Sequence, residues 1–375
     1  MTRRSALRVS LAAIPSYAAT SDDALDEALR LLHKQEPASK QGLSTHAPMV
    51  AEALSALGYA DRAVPWIETY RAPVLQLPGR TGRIDAKQWR EALGPRKDAK
   101  TWEQANARWA DWLEFFIAEL AAESNWRTVL DTWVARLAPG MSGAATHGVI
   151  RTSHAVRAIA RRETPERRAE LARGLAYWAS SYEELPGGAK PPRATSAFTD
   201  ALEDVPLYWD AFERSPEGRN IVEQLRHVAE LEKFGQVRGL IVQPKDLPAA
   251  LSALSATFAR VYLRHGSRHH IIAFLHAVTG PASLRRLMPY IRPETAHAAF
   301  SYAWQTAAAI YAAYVRRDDP PAREESSMDR GELAEAAIRN GADHAIKFTE
   351  VMLSEHAIQP DPVFLAAAEL AVRRL

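Results

Sequence analysis

The 375-residue chain contains no cysteine. Disulfides, iron–sulfur clusters and thiolate-built structural zinc sites are therefore excluded. It has no stretch approaching the roughly 18 apolar residues that a membrane span needs. Its 47 Lys and Arg face 45 Asp and Glu, and no basic tract interleaved with aromatics appears, so nucleic-acid binding finds no footprint. No pair of strand-like runs joined by a tight Asn-Gly or Asp-Gly turn appears, which argues against β structure. A Gly-x-Gly-x-x-Gly fingerprint is missing, so a Rossmann dinucleotide site is not expected. What the chain does have is twelve histidines.

Apolar residues recur at helical spacing almost throughout. Trp109, Leu113, Phe116 and Leu120 share one face, as do Leu171, Leu175 and Trp178. Leu247, Leu251, Leu254, Phe258 and Val261 form another such face, and Phe300, Trp304, Ala307, Tyr311 and Tyr314 a fourth. These patterns predict an all-α fold. Thr164-Pro165-Glu166 reads as an N-cap with proline at the first helical position. Stretches 72–85, 183–195 and 316–327, rich in Pro or Gly, read as loops between helical groups.

No fixed-period repeat is present, so a single large multi-helix domain over 22–375 is expected. Residues 1–21 read as an extended arm. The start, with Arg3-Arg4, looks like a twin-arginine signal only superficially. Its apolar run is interrupted by Arg8, Ser10 and Pro15, so a cytoplasmic location is expected.

Neutral imidazole is the commonest metal ligand. Without thiolates, a metal site here must use nitrogen and oxygen, which favours iron, manganese or an open zinc site. His33, His227 and His356 read as ordinary structural histidines, and the cluster Arg264 to His270 as a solvated turn. His265 and His269 have ligand spacing, but Gly266 between them argues against a helix.

His147 and His154 are seven residues apart, hence about 10 Å along a helix. One ion with bonds of about 2.1 Å cannot take both. His147 is the better candidate because Gly148 permits close approach; His154 and Arg151 then read as pocket-lining groups. His46, ahead of Pro48, sits at a helix start whose dipole favours the neutral form; it equally suits a plain capping role.

His344 and Lys347 are neighbours on one helical face. An ammonium cannot bind a metal. A desolvated, neutral lysine can take up carbon dioxide and become an anionic carbamate. The blander alternative pairs Lys347 at the surface with Asp343 or Glu350.

Five segments taken together resemble the questin oxidase-like family. They are Leu43-Ser-Thr-His46-Ala-Pro48-Met-Val-Ala-Glu-Ala-Leu54, Ala144-Ala-Thr-His147-Gly-Val-Ile-Arg151, Gly174-Leu-Ala-Tyr-Trp178-Ala, Phe274-Leu-His276-Ala-Val-Thr-Gly280 and His344-Ala-Ile-Lys347-Phe. Each is short; their order and spacing across nearly the whole chain carry the resemblance. The sequence departs from the family pattern around His46, flanked here by Thr45 and Ala47, and at Ser153-His154.

The resemblance implies an all-helical oxygenase that opens aromatic polyketides such as anthraquinones, by Baeyer–Villiger-type or C–C cleavage chemistry. It implies Fe(II) held by His46, His147, His276, His344 and Lys347, dioxygen as co-substrate, and a small aromatic substrate. If NADPH is used, its site lies outside any Rossmann motif.

Trp178, Trp304 and Tyr177 would offer stacking surface, and Arg151 or Arg285 would bind a phenolate or carboxylate; each is otherwise core or ion pair. Two other functions fit the same residues. One is a zinc hydrolase with Glu350 as general base. The other is a helical interaction protein without a metal.

Overall fold

The computed structural model describes residues 17–33, 35–39, 44–70, 74–76, 79–95, 108–212, 214, 216–218, 220–266 and 270–375. Its long helices are α1 (Tyr17–Leu32), α2 (Ala47–Ala56), α3 (Ala63–Thr69), α4 (Arg108–Ala122), α5 (Trp126–Leu137), α6 (His147–Arg161) and α7 (Pro165–Ser180). They continue as α8 (Leu247–Val261), α9 (Ile271–Leu287), α10 (Pro293–Tyr314), α11 (Arg330–Asn340), α12 (Asp343–Ile358) and α13 (Pro362–Arg374). Shorter helical turns fill the stretch between α7 and α8. The expected all-α fold is what forms. Among the described residues, no helix is long and apolar enough to cross a membrane.

The helix starts follow the local chemistry. Thr164 accepts the Arg167 N–H and Pro165 opens α7. Asp329 and Glu332 form a reciprocal capping box at α11, and Gly341 ends that helix at a left-handed φ of 77°. The periodic apolar faces are buried as anticipated: Trp109, Phe116, Leu171, Leu251, Leu254, Phe258, Phe300 and Trp304 all lie in one continuous core.

Two expectations need correction. The helix α1 begins at Tyr17, so residues 17–21 are helical rather than part of an extended arm; no glycine or proline interrupts the chain between Pro15 and Pro37. Residues 1–16, including the arginine pair, lie outside the described residues. The stretch 72–85, expected as loop, contains the strand Val74–Gln76, which pairs antiparallel with Gln35–Ser39. A long connection joins the two, so no hairpin signal marks them in the sequence.

Four helices position the site. Helix α2 packs on α6 and on α12, and α9 packs on the same two, closing a ring. On the outer side of α6, helix α7 approaches very closely, because glycines stand at the crossing. A Cβ on Gly148 would lie 2.5 Å from the Trp178 Cα, and one on Gly174 would lie 2.9 Å from the Thr152 Cα. Both obstacles are backbone, which cannot swing aside. Gly148→Ala is therefore expected to destabilise the protein by about 3 kcal/mol through overpacking, measured by urea unfolding. A variant within 0.5 kcal/mol of wild type, on the order expected for a neutral surface change, would contradict this close packing.

Candidate metal centre

The ring α2–α6–α9–α12 brings four histidines together from segments far apart in sequence. His46 is the N-cap of α2. His147 is the first residue of α6. His344 is the second residue of α12. His276 comes from the first half of α9. His46 Nε2 lies 2.8 Å from His147 Nε2, and His276 Nε2 lies 3.3 Å from it. One ring nitrogen each of His46, His147 and His344 falls within 4.8 Å of the others, a group that can hold a metal ion; His276 meets that group through His147 and is not part of it.

The other ring nitrogen of each histidine shows how the imidazoles are protonated. His46 Nδ1 is 2.7 Å from Asp343 Oδ2, and His344 Nδ1 is 2.8 Å from Asp343 Oδ1. His147 Nδ1 is 2.7 Å from the Ala144 carbonyl, and His276 Nδ1 is 2.6 Å from the Ile272 carbonyl. All four partners are acceptors, so every Nδ1 carries its proton as donor. Every Nε2 then presents a bare lone pair to the centre. His344 Nε2 is buried with no hydrogen-bond partner. Bare lone pairs at 2.8 and 3.3 Å repel one another unless a cation lies between them. Bonds of about 2.1 Å place neighbouring nitrogens on one ion about 3 Å apart. Carboxylate and carbonyl partners behind the ligands are the usual means of fixing such tautomers.

Protonating the imidazoles does not solve the repulsion. Burial, then the Lys347 ammonium and His344, push His46 down to about 3. Burial and the neighbouring histidines hold His147 well below its usual value. His276 is lowered by burial and by His344. The starts of α2, α6 and α12 also turn the positive ends of their dipoles toward the cluster. A cation held here needs anions nearby. Asp343 is one: burial would raise its pKa, but His344 and His46 hold the carboxyl ionised.

Lys347 is only 4% exposed. Its charge lowers the pKa of His46, His147, His276 and His344 alike. Burial lowers the amine to about 8, against the pull of Asp343. It makes no hydrogen bond or ion pair with the described residues. The surface pairing with Asp343 or Glu350 is thus not what forms.

The loop ahead of α6 is strained. Ala144, Ala145 and Thr146 take φ of 48°, 51° and 69° in succession, a left-handed run that non-glycine residues disfavour by about 1–2 kcal/mol each. It turns the Ala144 carbonyl back under the His147 ring. The loop is clamped where the chain leaves no room: a Cβ on Gly280 of α9 would sit 3.0 Å from Thr146 Cγ2. Strain held by surrounding packing beside such a centre is typical of functional sites. The hydroxyls of Thr45 and Thr146, each just ahead of a histidine, are buried without partners.

His154 stands apart, as its helical offset required. It belongs to a second polar layer supplied by the same four helices, six to ten residues further along each. Its Nδ1 is 2.6 Å from Glu52 Oε2, and Arg286 Nη1 donates to its Nε2 at 3.2 Å. Arg157 bridges Glu52 and Glu350, and Arg286 pairs with Glu350. Two carboxylates, the Arg157 and Arg286 guanidiniums and, 4.0 Å from Glu52, that of Arg161 surround a neutral imidazole and tie the four helices together. Burial and then Arg286 lower His154 to about 4, against the Glu52 carboxylate.

The unfolded chain therefore takes up a proton near pH 6.5 that the folded protein refuses until about 4. This contribution is complete above pH 6.5 and is lost as pH falls, about 3 kcal/mol in all. His154→Gln should flatten that part of the stability–pH curve of the metal-free protein. An unchanged slope between pH 6.5 and 4 would contradict it.

Other expected site residues bond to groups away from the histidines. Arg151 forms a buried bidentate pair with Glu170, at 2.6 and 3.0 Å, and touches none of the four histidines through a hydrogen bond. Arg285 is taken by Glu355, Ser252 and the Pro248 carbonyl. For Glu350, burial would raise the pKa, but Arg157 and Arg286 outweigh it and hold the carboxyl down to about 2. That makes it a poor general base.

Trp304 and Trp178 are core residues; Trp304 Nε1 donates to the Val237 carbonyl. Tyr177 is buried and hydrogen-bonded to Ser44. His265 is no part of a solvated turn: it is buried in a π-helical segment and bonded to Asp319 at 2.7 Å. His269 lies outside the described residues.

Sequence reasoning missed Asp343, which orients two of the four histidines at once. Its position directly before His344 was the available signal. No protein-family model matches the chain, and no curated protein matches it.

Proposed function

We propose that this protein is a mononuclear non-haem iron oxygenase that opens an aromatic ring system, such as an anthraquinone, by oxidative C–C cleavage or Baeyer–Villiger-type chemistry. The observation that carries the metal centre is the convergence of ring nitrogens of His46, His147 and His344, with His276 against His147, and a buried, unpartnered lysine one turn along α12 from His344. The questin oxidase-like resemblance of the segments around those residues supplies the reaction class. A donor set of imidazole nitrogen and carboxylate-type oxygen without sulfur suits iron.

In this reading His46, His147, His276 and His344 are the nitrogen ligands. Asp343, Ala144 and Ile272 fix their tautomers. Lys347 in its neutral form attacks carbon dioxide through Nζ; a C–N bond forms, one proton leaves to solvent, and the resulting carbamate oxygen becomes an anionic ligand. Bound iron would supply redox chemistry toward dioxygen. The surrounding core excludes bulk water, and the Thr45 and Thr146 hydroxyls offer hydrogen bonds to a small bound species.

A zinc hydrolase is favoured by no observation here, because Glu350 is locked between two arginines. Metal analysis of the purified protein, with oxygen-electrode traces on hydroxyanthraquinones with and without NADPH, tests the proposal. Iron near one per chain and substrate-dependent oxygen uptake are expected. Zinc in place of iron, with hydrolysis and no oxygen uptake, would overturn it.

A further inference from the structure

Helices α6 and α7 hold a second buried group that the metal centre does not use. Arg151 and Glu170 are 2% and 4% exposed, and Arg151 occupies both Glu170 oxygens. Arg173 lies three residues beyond Glu170 and is 8% exposed. Its Nη2 donates to the His33 carbonyl at 2.6 Å. Its Nε and Nη1, and Arg151 Nη1, are buried without any hydrogen-bond partner.

Two guanidiniums thus share one carboxylate. Among the described residues no other acid pairs with either arginine; Glu166, one turn before Glu170, is engaged by Arg30. His33 is half-buried, its pKa lowered by desolvation and by Arg173. The Arg173 guanidinium lies 5.9 Å from the Trp109 ring centroid, and the Trp109 Nε1 is also buried and unpartnered.

An uncompensated cation with bare N–H groups is costly in a core, and buried polar groups are normally satisfied. Where they are not, an ordered water or a bound ligand supplies the missing acceptor. Guanidinium N–H groups suit a planar oxyanion. We infer that Arg151 and Arg173 form a subsite for a mono-anionic oxygen group, a carboxylate or an ionised phenol. Arg151 follows His147 by one turn of α6, about 6 Å along the axis. Tyr177, near Arg151, is hydrogen-bonded to Ser44, two residues ahead of His46. The subsite therefore borders the metal centre. That its natural occupant is the substrate rests on the oxygenase reading; the anion site itself does not.

The test uses the full chain in metal-free form. Benzoate, acetate and 4-nitrophenolate are titrated by calorimetry and thermal unfolding, with benzamide as the neutral control. At least one anion should bind ten-fold or more tighter than benzamide and raise the melting temperature. Whether the carboxylates or the phenolate do so identifies the chemistry.

Arg173→Met should abolish that preference, and with the uncompensated charge gone the free variant should melt at the same temperature or higher. Arg173→Lys should retain part of the affinity. Equal binding of anions and benzamide would overturn the inference. So would anion affinity surviving in Arg173→Met, or a lowered melting temperature of that variant, the mark of a purely structural arginine. A protein that binds these anions but carries no iron would overturn the oxygenase reading and leave the subsite standing.

Discussion

Lys347→Ala is expected to fold and yet to lose bound iron and turnover, with formate or acetate restoring part of both. The side chain is buried, forms no ion pair with the described residues, and its charge acts on all four histidines. As an ammonium it would repel a cation there, so removing it should strengthen metal binding if it acts only through its charge. As a carbamate it supplies the oxygen anion that four neutral imidazoles lack, and its removal should weaken iron binding by about 100-fold or more. The two roles thus predict opposite signs.

Because burial brings the amine to about 8, carbamate formation gains as pH rises toward that value and beyond. Iron loading should therefore improve with added bicarbonate at pH 8 more than at pH 6. Metal content by mass spectrometry, and the carbamate carbon after ¹³C-bicarbonate labelling, are the measurements. A Lys347→Ala protein with full iron occupancy would end the carbamate proposal.

His147→Ala should abolish iron binding outright, more completely than loss of any single outer partner. Its Nε2 is common to both short contacts of the cluster, so its removal takes away the nitrogen that links His276 to the rest. Loss of one supporting group behind a ligand typically costs about 10–100-fold in affinity, and loss of the ligand itself more.

The metal-free variant should suffer less than the usual cost of about 2–5 kcal/mol for truncating a large buried side chain. The crowding of bare lone pairs against His46 and His276 disappears with the ring. Iron titration and urea unfolding in chelator distinguish the outcomes. Retained iron, or a stability loss at the top of that range, would mean that the ring is a packing element rather than a ligand.

Much of the fold was legible because helices declare themselves locally. The four-three spacing of Leu247 to Val261 or Phe300 to Tyr314, and caps such as Thr164-Pro165, depend on neighbours a few residues away. The strand Val74–Gln76 was not legible, since its partner lies far off at Gln35–Ser39. His154 could be separated from His147 on helical rise alone, and the structure seats it in an ionic layer. For Lys347, i, i+3 spacing showed only that it shares a face with His344. It did not tell whether that face met water or a ring of histidines.

The sequence by itself determined which residues were available: histidines and oxygen donors without a thiol, carried on helices. Tertiary structure decided which of the twelve histidines meet, because convergence of α2, α6, α9 and α12 is a long-range packing event with no local signature. It also decided protonation. Only the partners behind each ring, Asp343 and the carbonyls of Ala144 and Ile272, settle which nitrogen keeps the proton. For His46 that partner, Asp343, lies 297 residues away, so the bond exists only once the chain has folded, whereas those of His147, His276 and His344 lie within four residues of their rings.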